Sequence, residues 1–240
     1  MRMTVIGSGV MGSGIAQVLA VSGMDVELHD VETAALARAR RTIEDGPFGM
    51  RASVSRKKLS LEDFELARNR IHYRQDLAEA CAATQCLIEA VPEDLSLKMK
   101  IFKQADRLTP KDAILTTNTA GLAIAAMAFA TERPQLVLGW HWAQPCIVIK
   151  LAEIIVHSET ASAAVEQVVQ LARRCGKNPH VIKDQPLEWG FVVNRIMLKV
   201  RKEAQKIVDE GVATPEQVDA LMKDCFRWPV GIFEALRQLT

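Results

Sequence analysis

Gly7-Ser8-Gly9-Val10-Met11-Gly12 is the stretch on which the fold turns. A short apolar run at residues 3–6 precedes it, and Ile15, Val18 and Leu19 follow at helical spacing. Strand, G-x-G-x-x-G, helix is the pattern of an α/β unit that holds a dinucleotide. Gly7 permits a tight turn, Gly9 lets backbone approach a pyrophosphate with no Cβ in the way, and Gly12 lets the helix pack close to the strand. Ser8, Val10 and Met11 bring their backbone to the same turn, where N–H groups at a helix start meet anionic phosphates.

Working outward, residues 26–29 form a second apolar run, ended by Asp30. An acid at this distance from the glycines is placed to hydrogen-bond the adenosine ribose hydroxyls. A carboxylate there repels a 2′-phosphate, and Val31 and Glu32 supply no cation to hold one. The expected cofactor is therefore NAD rather than NADP.

Alternation continues down the chain. A helix is expected over 34–43, broken by Gly46-Pro47, and a charged helix over 51–69 with Ser60 as an N-cap. Residues 86–91 form a continuous apolar run carrying one acid, Glu89, and suit a strand buried on both faces of a parallel sheet. A helix over 95–108 follows, then strands over 113–117, 136–140 and 147–156, a helix over 161–174 and a short strand over 179–182. After Asp184-Gln185-Pro186 the strand signals stop. A long helix is expected over 191–210, ended by Gly211, and Thr214-Pro215-Glu216 starts another. This order implies a Rossmann-type, doubly wound, mostly parallel sheet followed by a smaller all-helical domain. The expected division is an NAD-binding domain at 1–183 and a helical substrate and dimerisation domain at 184–240. Thr240 falls inside a helical pattern with no closing glycine or basic last turn, so the second domain reads as incomplete.

Composition narrows the partners. The 240 residues carry a net charge of +1, with 30 basic against 29 acidic side chains and only 5% aromatics. That balance argues against nucleic acid. No segment is long and apolar enough to span a bilayer, and Gly7, Gly9, Gly12 and Gly14 interrupt the one stretch that looks like a signal peptide. Cys81, Cys86, Cys146, Cys175 and Cys225 fit no zinc spacing, so no metal is expected, and they read as buried thiols of a cytoplasmic protein.

With its extension Ser13-Gly14-Ile15-Ala16-Gln17, the glycine loop resembles that of the 3-hydroxyacyl-CoA dehydrogenase family. Further stretches match in the same order: Glu89-Ala90-Val91-Pro92-Glu93-Asp94-Leu95 with Lys98, Asn118-Thr119, Gly139-Trp140-His141 with Pro145, Lys150-Leu151-Ala152-Glu153, and Gly190-Phe191-Val192-Val193-Asn194-Arg195. The resemblance covers essentially the whole chain. It implies NAD-dependent oxidation of a 3-hydroxy group, with His141 and Glu153 as an acid–base pair. A histidine near neutral pKa suits removal of a hydroxyl proton, and a carboxylate on its other nitrogen fixes the tautomer. By the same resemblance Glu93 and Lys98 contact the nicotinamide end of the cofactor, Asn194 lies near the reacting carbonyl, and Lys57 meets the phosphates of coenzyme A. A homodimer built by the second domain is also implied. The apolar positions Val193, Ile196, Met197 and Val200 are more face than a small domain buries alone.

The sequence departs from the family at three places. The serine expected after Asn-Thr, which contacts substrate and nicotinamide, is Ala120. The usual His-x-x-Asn-Pro reads His141-Trp142-Ala143-Gln144-Pro145, so Gln144 takes the amide's place beside the cofactor. Leu187-Glu188-Trp189 adds a short insertion with a bulky aromatic. These departures bear on the substrate, and leave open a small-molecule substrate without coenzyme A, such as a 3-hydroxy acid or a small ring acid or aldehyde.

Overall fold

The computed structural model describes residues 1–237 and separates them into two compact units, 1–189 and 190 onward. In the first unit β1 (Arg2–Ile6) feeds the glycine loop and α1 (Val10–Val21), then β2 (Asp25–His29) and α2 (Thr33–Asp45). The charged stretch that follows divides into α3 (Met50–Ser55) and α4 (Leu61–Asn69) instead of forming one helix. Ser60 explains the break. Its hydroxyl accepts the Asp63 N–H at 2.9 Å and starts a new helix, and Lys57 in the preceding turn takes φ +57°.

β3 (Ile71–Arg74), α5 (Leu77–Cys81), β4 (Cys86–Glu89), α6 (Leu95–Leu108), β5 (Ile114–Thr117) and α7 (Ile124–Ala128) come next. β6 (Val137–Trp142), β7 (Leu151–Val156), α8 (Ser162–Arg174) and β8 (Asn178–Lys183) complete the unit. The strands form one sheet in the order β3-β2-β1-β4-β5-β6-β7-β8, parallel throughout except where β6 meets β7. β3 carries no apolar run because it is an edge strand in which only Ile71 is buried. The segment after β8 stays with this unit, where Asp184 Oδ2 accepts the Ala125 N–H at 2.9 Å.

Register positions the site. Ile6 lies opposite His29 on one side and Glu89 on the other, Glu89 opposite Thr117, and Thr117 opposite Gly139. This row crosses the carboxyl ends of the parallel strands, and open α/β sheets bind their ligands just beyond it. β4 and β5 are wholly buried, as their apolar sequences require. β6 runs two residues past the expected strand end, because antiparallel pairing with β7 continues through His141↔Glu153 and Trp142↔Ala152. His141 thus belongs to the strand rather than to the loop after it.

The second unit holds α9 (Val192–Asp209), α10 (Pro215–Phe226) and α11 (Ile232–Arg237). Thr214 and Gln217 form a reciprocal capping box at the start of α10. Its small core is Ala204, Val218 and Ile232, with Val200 packed against it, whereas Val193 and Ile196 are exposed. The expected helical continuation to Thr240 lies outside the described residues. Of the five thiols four are buried, but Cys225 on α10 is exposed, so it does not read as a core cysteine. No helix among the described residues is long and apolar enough to cross a membrane.

Candidate active site

The glycines of the loop do different things. A Cβ on Gly12 would sit 1.8 Å from the Gly7 carbonyl oxygen, and one on Gly7, at φ +96°, would meet the Ala90 carbonyl at 2.7 Å. Chain packing alone demands glycine at both. At Gly9 a Cβ would meet no atom of the protein within 4 Å, and its φ of −65° suits any residue. Gly9 therefore keeps open a space that the fold does not need. It is also the N-cap of α1, a helix with no side-chain cap and no acid in its first turn, so the start of the helix presents uncompensated N–H groups. Such a cradle fits a pyrophosphate.

Gly7, Ser8, Gly9, Val10, Met11 and Asp30 line a groove of about 640 Å³. Asp30 Oδ2 accepts the Ser8 N–H at 2.9 Å and the Ser8 hydroxyl at 2.8 Å, and Oδ1 accepts the Glu32 N–H at 3.1 Å. Burial by itself would raise the Asp30 carboxyl, but the Ser8 and Glu32 donors outweigh it and hold the group below the usual carboxylate range. The acid is thus ionised and aimed into the groove. Arg38 also lines the groove, paired with Glu32 at 3.7 Å. The sequence around Asp30 does not disclose this cation, because α2 brings it round from the next turn.

A second cavity of about 370 Å³ adjoins the groove, and Met11, Ala90 and Val91 line both. His141, Glu93, Lys98, Asn118, Ala120, Trp142 and Trp189 complete the second cavity's wall. His141 Nδ1 lies 2.7 Å from Glu153 Oε2, and both side chains are buried. A carboxylate only accepts, so Nδ1 carries the proton. Cross-strand register makes this contact: the two residues face each other directly across the antiparallel pair. The strand is held from the side by Asn118, whose Oδ1 accepts the Trp142 N–H at 2.8 Å.

Lys98 is buried, 1% exposed, rather than an open cation. Its ammonium donates to Glu89 Oε1 at 2.7 Å and to the Val91 carbonyl at 3.0 Å, with Glu93 Oε2 at 3.4 Å. Glu89 is 0% exposed and also accepts the Val91 N–H at 2.6 Å and the Thr117 hydroxyl at 2.6 Å. Burial pushes the Glu89 carboxyl up, and the Lys98 charge and the Thr117 and Val91 bonds oppose that push. Glu93 Oε1 accepts the Thr119 hydroxyl at 2.5 Å and the Ala120 N–H at 2.8 Å. Glu89 and Thr119 stand in stretches quoted from the sequence but carried no expected role in the site, and Thr117 was not expected there at all. Their one visible signal was a lone acid in an apolar strand.

The remaining expected residues lie elsewhere. Gln144 lines a smaller cleft with Val10 and Gly14, beside the glycine loop. Lys57 is exposed in the turn between α3 and α4, and Asn194 stands in the first turn of α9 in the second unit. Among the described residues no group of three or more His, Cys, Asp or Glu side chains could hold a metal ion.

Residues 2–185 match the family model of the 3-hydroxyacyl-CoA dehydrogenase NAD-binding domain, and residues 190–240 match that of its C-terminal domain. The chain belongs to the 3-hydroxyacyl-CoA dehydrogenase family. It is 37% identical over 232 residues to the 3-hydroxyadipyl-CoA dehydrogenase of Escherichia coli K12, covering 97% of this chain and 47% of that protein. Among solved structures, M. tuberculosis FadB2 is similar with a TM-score of 0.90 and 32% identity, over 96% of this chain and 79% of FadB2. A diketoreductase described as acting on dicarbonyl compounds is similar with a TM-score of 0.87 and 30% identity, over 97% of this chain and 81% of its own. The chain thus spans about half of the E. coli relative and about four fifths of the two structures. Members of this 3-hydroxyacyl-CoA dehydrogenase family are NAD-dependent oxidoreductases, and this chain carries the family's NAD-binding domain.

Proposed function

We propose that this chain oxidises the 3-hydroxyl of a 3-hydroxyacyl-CoA to a ketone, with His141 and Glu153 as the acid–base pair. The observation that carries the reading is the His141–Glu153 contact of 2.7 Å, with His141 in the wall of a cavity that adjoins the dinucleotide groove. NAD, when bound, supplies the hydride acceptor. Asp30 then meets the adenosine ribose, the Gly7–Gly12 loop the pyrophosphate, and Glu93, with Lys98 behind it, the nicotinamide end. His141 takes the hydroxyl proton at Nε2 as the carbon loses hydride. Glu153 on Nδ1 holds the ring in the right tautomer and stabilises the imidazolium that forms. The family resemblance supports Asn194 as a donor to the substrate oxygen and Lys57 as a contact for the coenzyme A phosphates.

A second reading keeps the pair and the cofactor but drops coenzyme A. It is favoured by Ala120, which brings no hydroxyl to the cavity, and by the Trp189 indole in the same wall. The diketoreductase similarity supports it too. A protein that binds NAD with little catalysis is a third reading, and the intact His141–Glu153 pair argues against it.

The test is NADH formation from a panel of 3-hydroxyacyl thioesters and free 3-hydroxy acids. His141→Ala should lower kcat about 10²–10⁴-fold while NAD still binds. An active His141→Ala variant would falsify the assignment. The expected division, an NAD-binding α/β part and a helical substrate and dimerisation part, is supported by the two family models, with the boundary at 189/190 rather than 183/184 because residues 184–189 stay with the α/β unit. Exposed Val193 and Ile196 on α9 support the homodimer, which light scattering of the chain reads directly. The cytoplasm remains the expected compartment.

A further inference from the structure

The buried Lys98–Glu89 pair has no place in the proton transfer, yet it abuts the cavity that holds His141. Two charges are buried here, Glu89 at the carboxyl end of β4 and Lys98 in the first turns of α6, at 0% and 1% side-chain exposure. A buried ion pair is rarely net stabilising against an apolar replacement. Lys98 could have paired with Glu93 alone, 3.4 Å away, and the wall would have been neutral. Instead Glu89 takes the shorter contact at 2.7 Å. Every group that reaches the Glu89 carboxylate is able to donate: the Lys98 ammonium, the Thr117 hydroxyl and the Val91 N–H. Burial pushes this carboxyl above the usual carboxylate range, and the ammonium at 2.7 Å with the two other donors is the arrangement that favours its charged form against that push. Two carboxylates and one ammonium leave one negative charge, carried on Glu93, whose side chain is 34% exposed and lines the cavity.

We infer that Glu89 is a positioning residue that sets the balance between oxidised and reduced cofactor, by cancelling Lys98 and leaving the Glu93 charge to face the nicotinamide. This rests on the NAD reading above. The oxidised nicotinamide ring is a cation and the reduced ring is neutral, so a negative wall favours the oxidised form selectively. Glu89 touches neither cofactor nor substrate and acts through Lys98 and Glu93. The pair thereby raises the affinity for NAD⁺ relative to NADH and helps the reduced product leave.

The experiment measures dissociation constants for NAD⁺ and for NADH separately on the intact chain, by quenching of tryptophan emission and by NADH fluorescence. The quantity read is the ratio of the two constants, NAD⁺ over NADH. Glu89→Gln leaves Lys98 to neutralise Glu93. It should raise the ratio about 4- to 16-fold, the effect of a unit charge across roughly 10 Å at an effective dielectric of ~20–40. Glu89→Gln combined with Lys98→Met restores the single negative charge and should return the ratio to near the wild-type value. Lys98→Met alone makes the wall more negative and should lower it. A merely structural role predicts otherwise: both constants rise together, and the double variant is worse than either single one. That pattern overturns the inference, as does an unchanged ratio in a folded Glu89→Gln protein. If Glu89→Gln does not fold, Glu93→Gln removes the same charge from a part-exposed site and must raise the ratio, or the inference falls. Wild-type protein that binds neither nucleotide would instead sink the NAD reading itself, and the inference with it.

Discussion

Gly9→Ala and Gly12→Ala add the same methyl group three residues apart, and they should fail in opposite ways. At Gly12 the new Cβ would lie 1.8 Å from the Gly7 carbonyl oxygen, where real Cβ atoms essentially never come within 3.0 Å, so α1 must shift off β1 by more than an ångström. Overpacking of this kind costs about 1–3 kcal/mol or more. In a unit of this size each kcal/mol lowers the Tm by roughly 2–4 °C. At Gly9 the methyl meets nothing, and φ −65° with ψ −168° is ordinary extended backbone. Alanine is a poorer N-cap by up to about 1 kcal/mol. Stiffening of the unfolded chain offsets about 0.4–1 kcal/mol of that. The Tm should therefore stay within about 2 °C of wild type. NAD binding should still collapse, because the methyl fills the space through which backbone N–H groups reach the pyrophosphate. A hydrogen bond to a charged group is worth about 1.5–3 kcal/mol, so losing one weakens Kd about 10- to 150-fold. Thermal melts and NAD titrations on both variants separate the two outcomes. A Gly9→Ala protein that melts normally and binds NAD as tightly as wild type would show that this loop is not a phosphate cradle.

Three other outcomes can be checked on the same protein. Asp30→Ala should weaken NAD and narrow its advantage over NADP, since the carboxylate that repels a 2′-phosphate is gone while Arg38 still lines the groove; equal affinities for the two dinucleotides in the wild type would refute the role of Asp30. Because the folded Asp30 pKa is depressed, its contribution to stability is fully present above the unfolded value of about 4 and is lost as pH falls through the lower folded value, so Asp30→Asn should flatten only the acid limb of the stability profile. Ala120→Ser should raise kcat/KM on 3-hydroxyacyl thioesters about 2- to 13-fold if one hydrogen bond is all that the site lacks. A thioester rate unchanged or reduced by the new hydroxyl would favour the reading without coenzyme A.

The sequence by itself determined the sheet class, the dinucleotide loop and the acid at Asp30. Each is written in consecutive residues: a glycine's positive φ, an apolar run, an acid at a strand's end. The boundaries of α6 could be read directly because its cap, Asp94, and its apolar spacing are local too. Tertiary structure decided everything that depends on which strand lies beside which. The edge strand β3 has no apolar signature, since one neighbour and one buried residue suffice to hold it. His141 and Glu153 are twelve residues apart in the chain, and only the antiparallel register of β6 and β7 brings Nδ1 to within 2.7 Å of the carboxylate. Lys98 looks in the sequence like an exposed helix residue near the start of α6. It is buried because the β4–α6 connection folds it back over Glu89, whose charge in turn is tolerated only because Thr117 of the next strand and the Val91 N–H satisfy it. Propensity and spacing act over a few residues, whereas desolvation and charge pairing act through space, so the fold was legible along the chain and the electrostatics of the site were not.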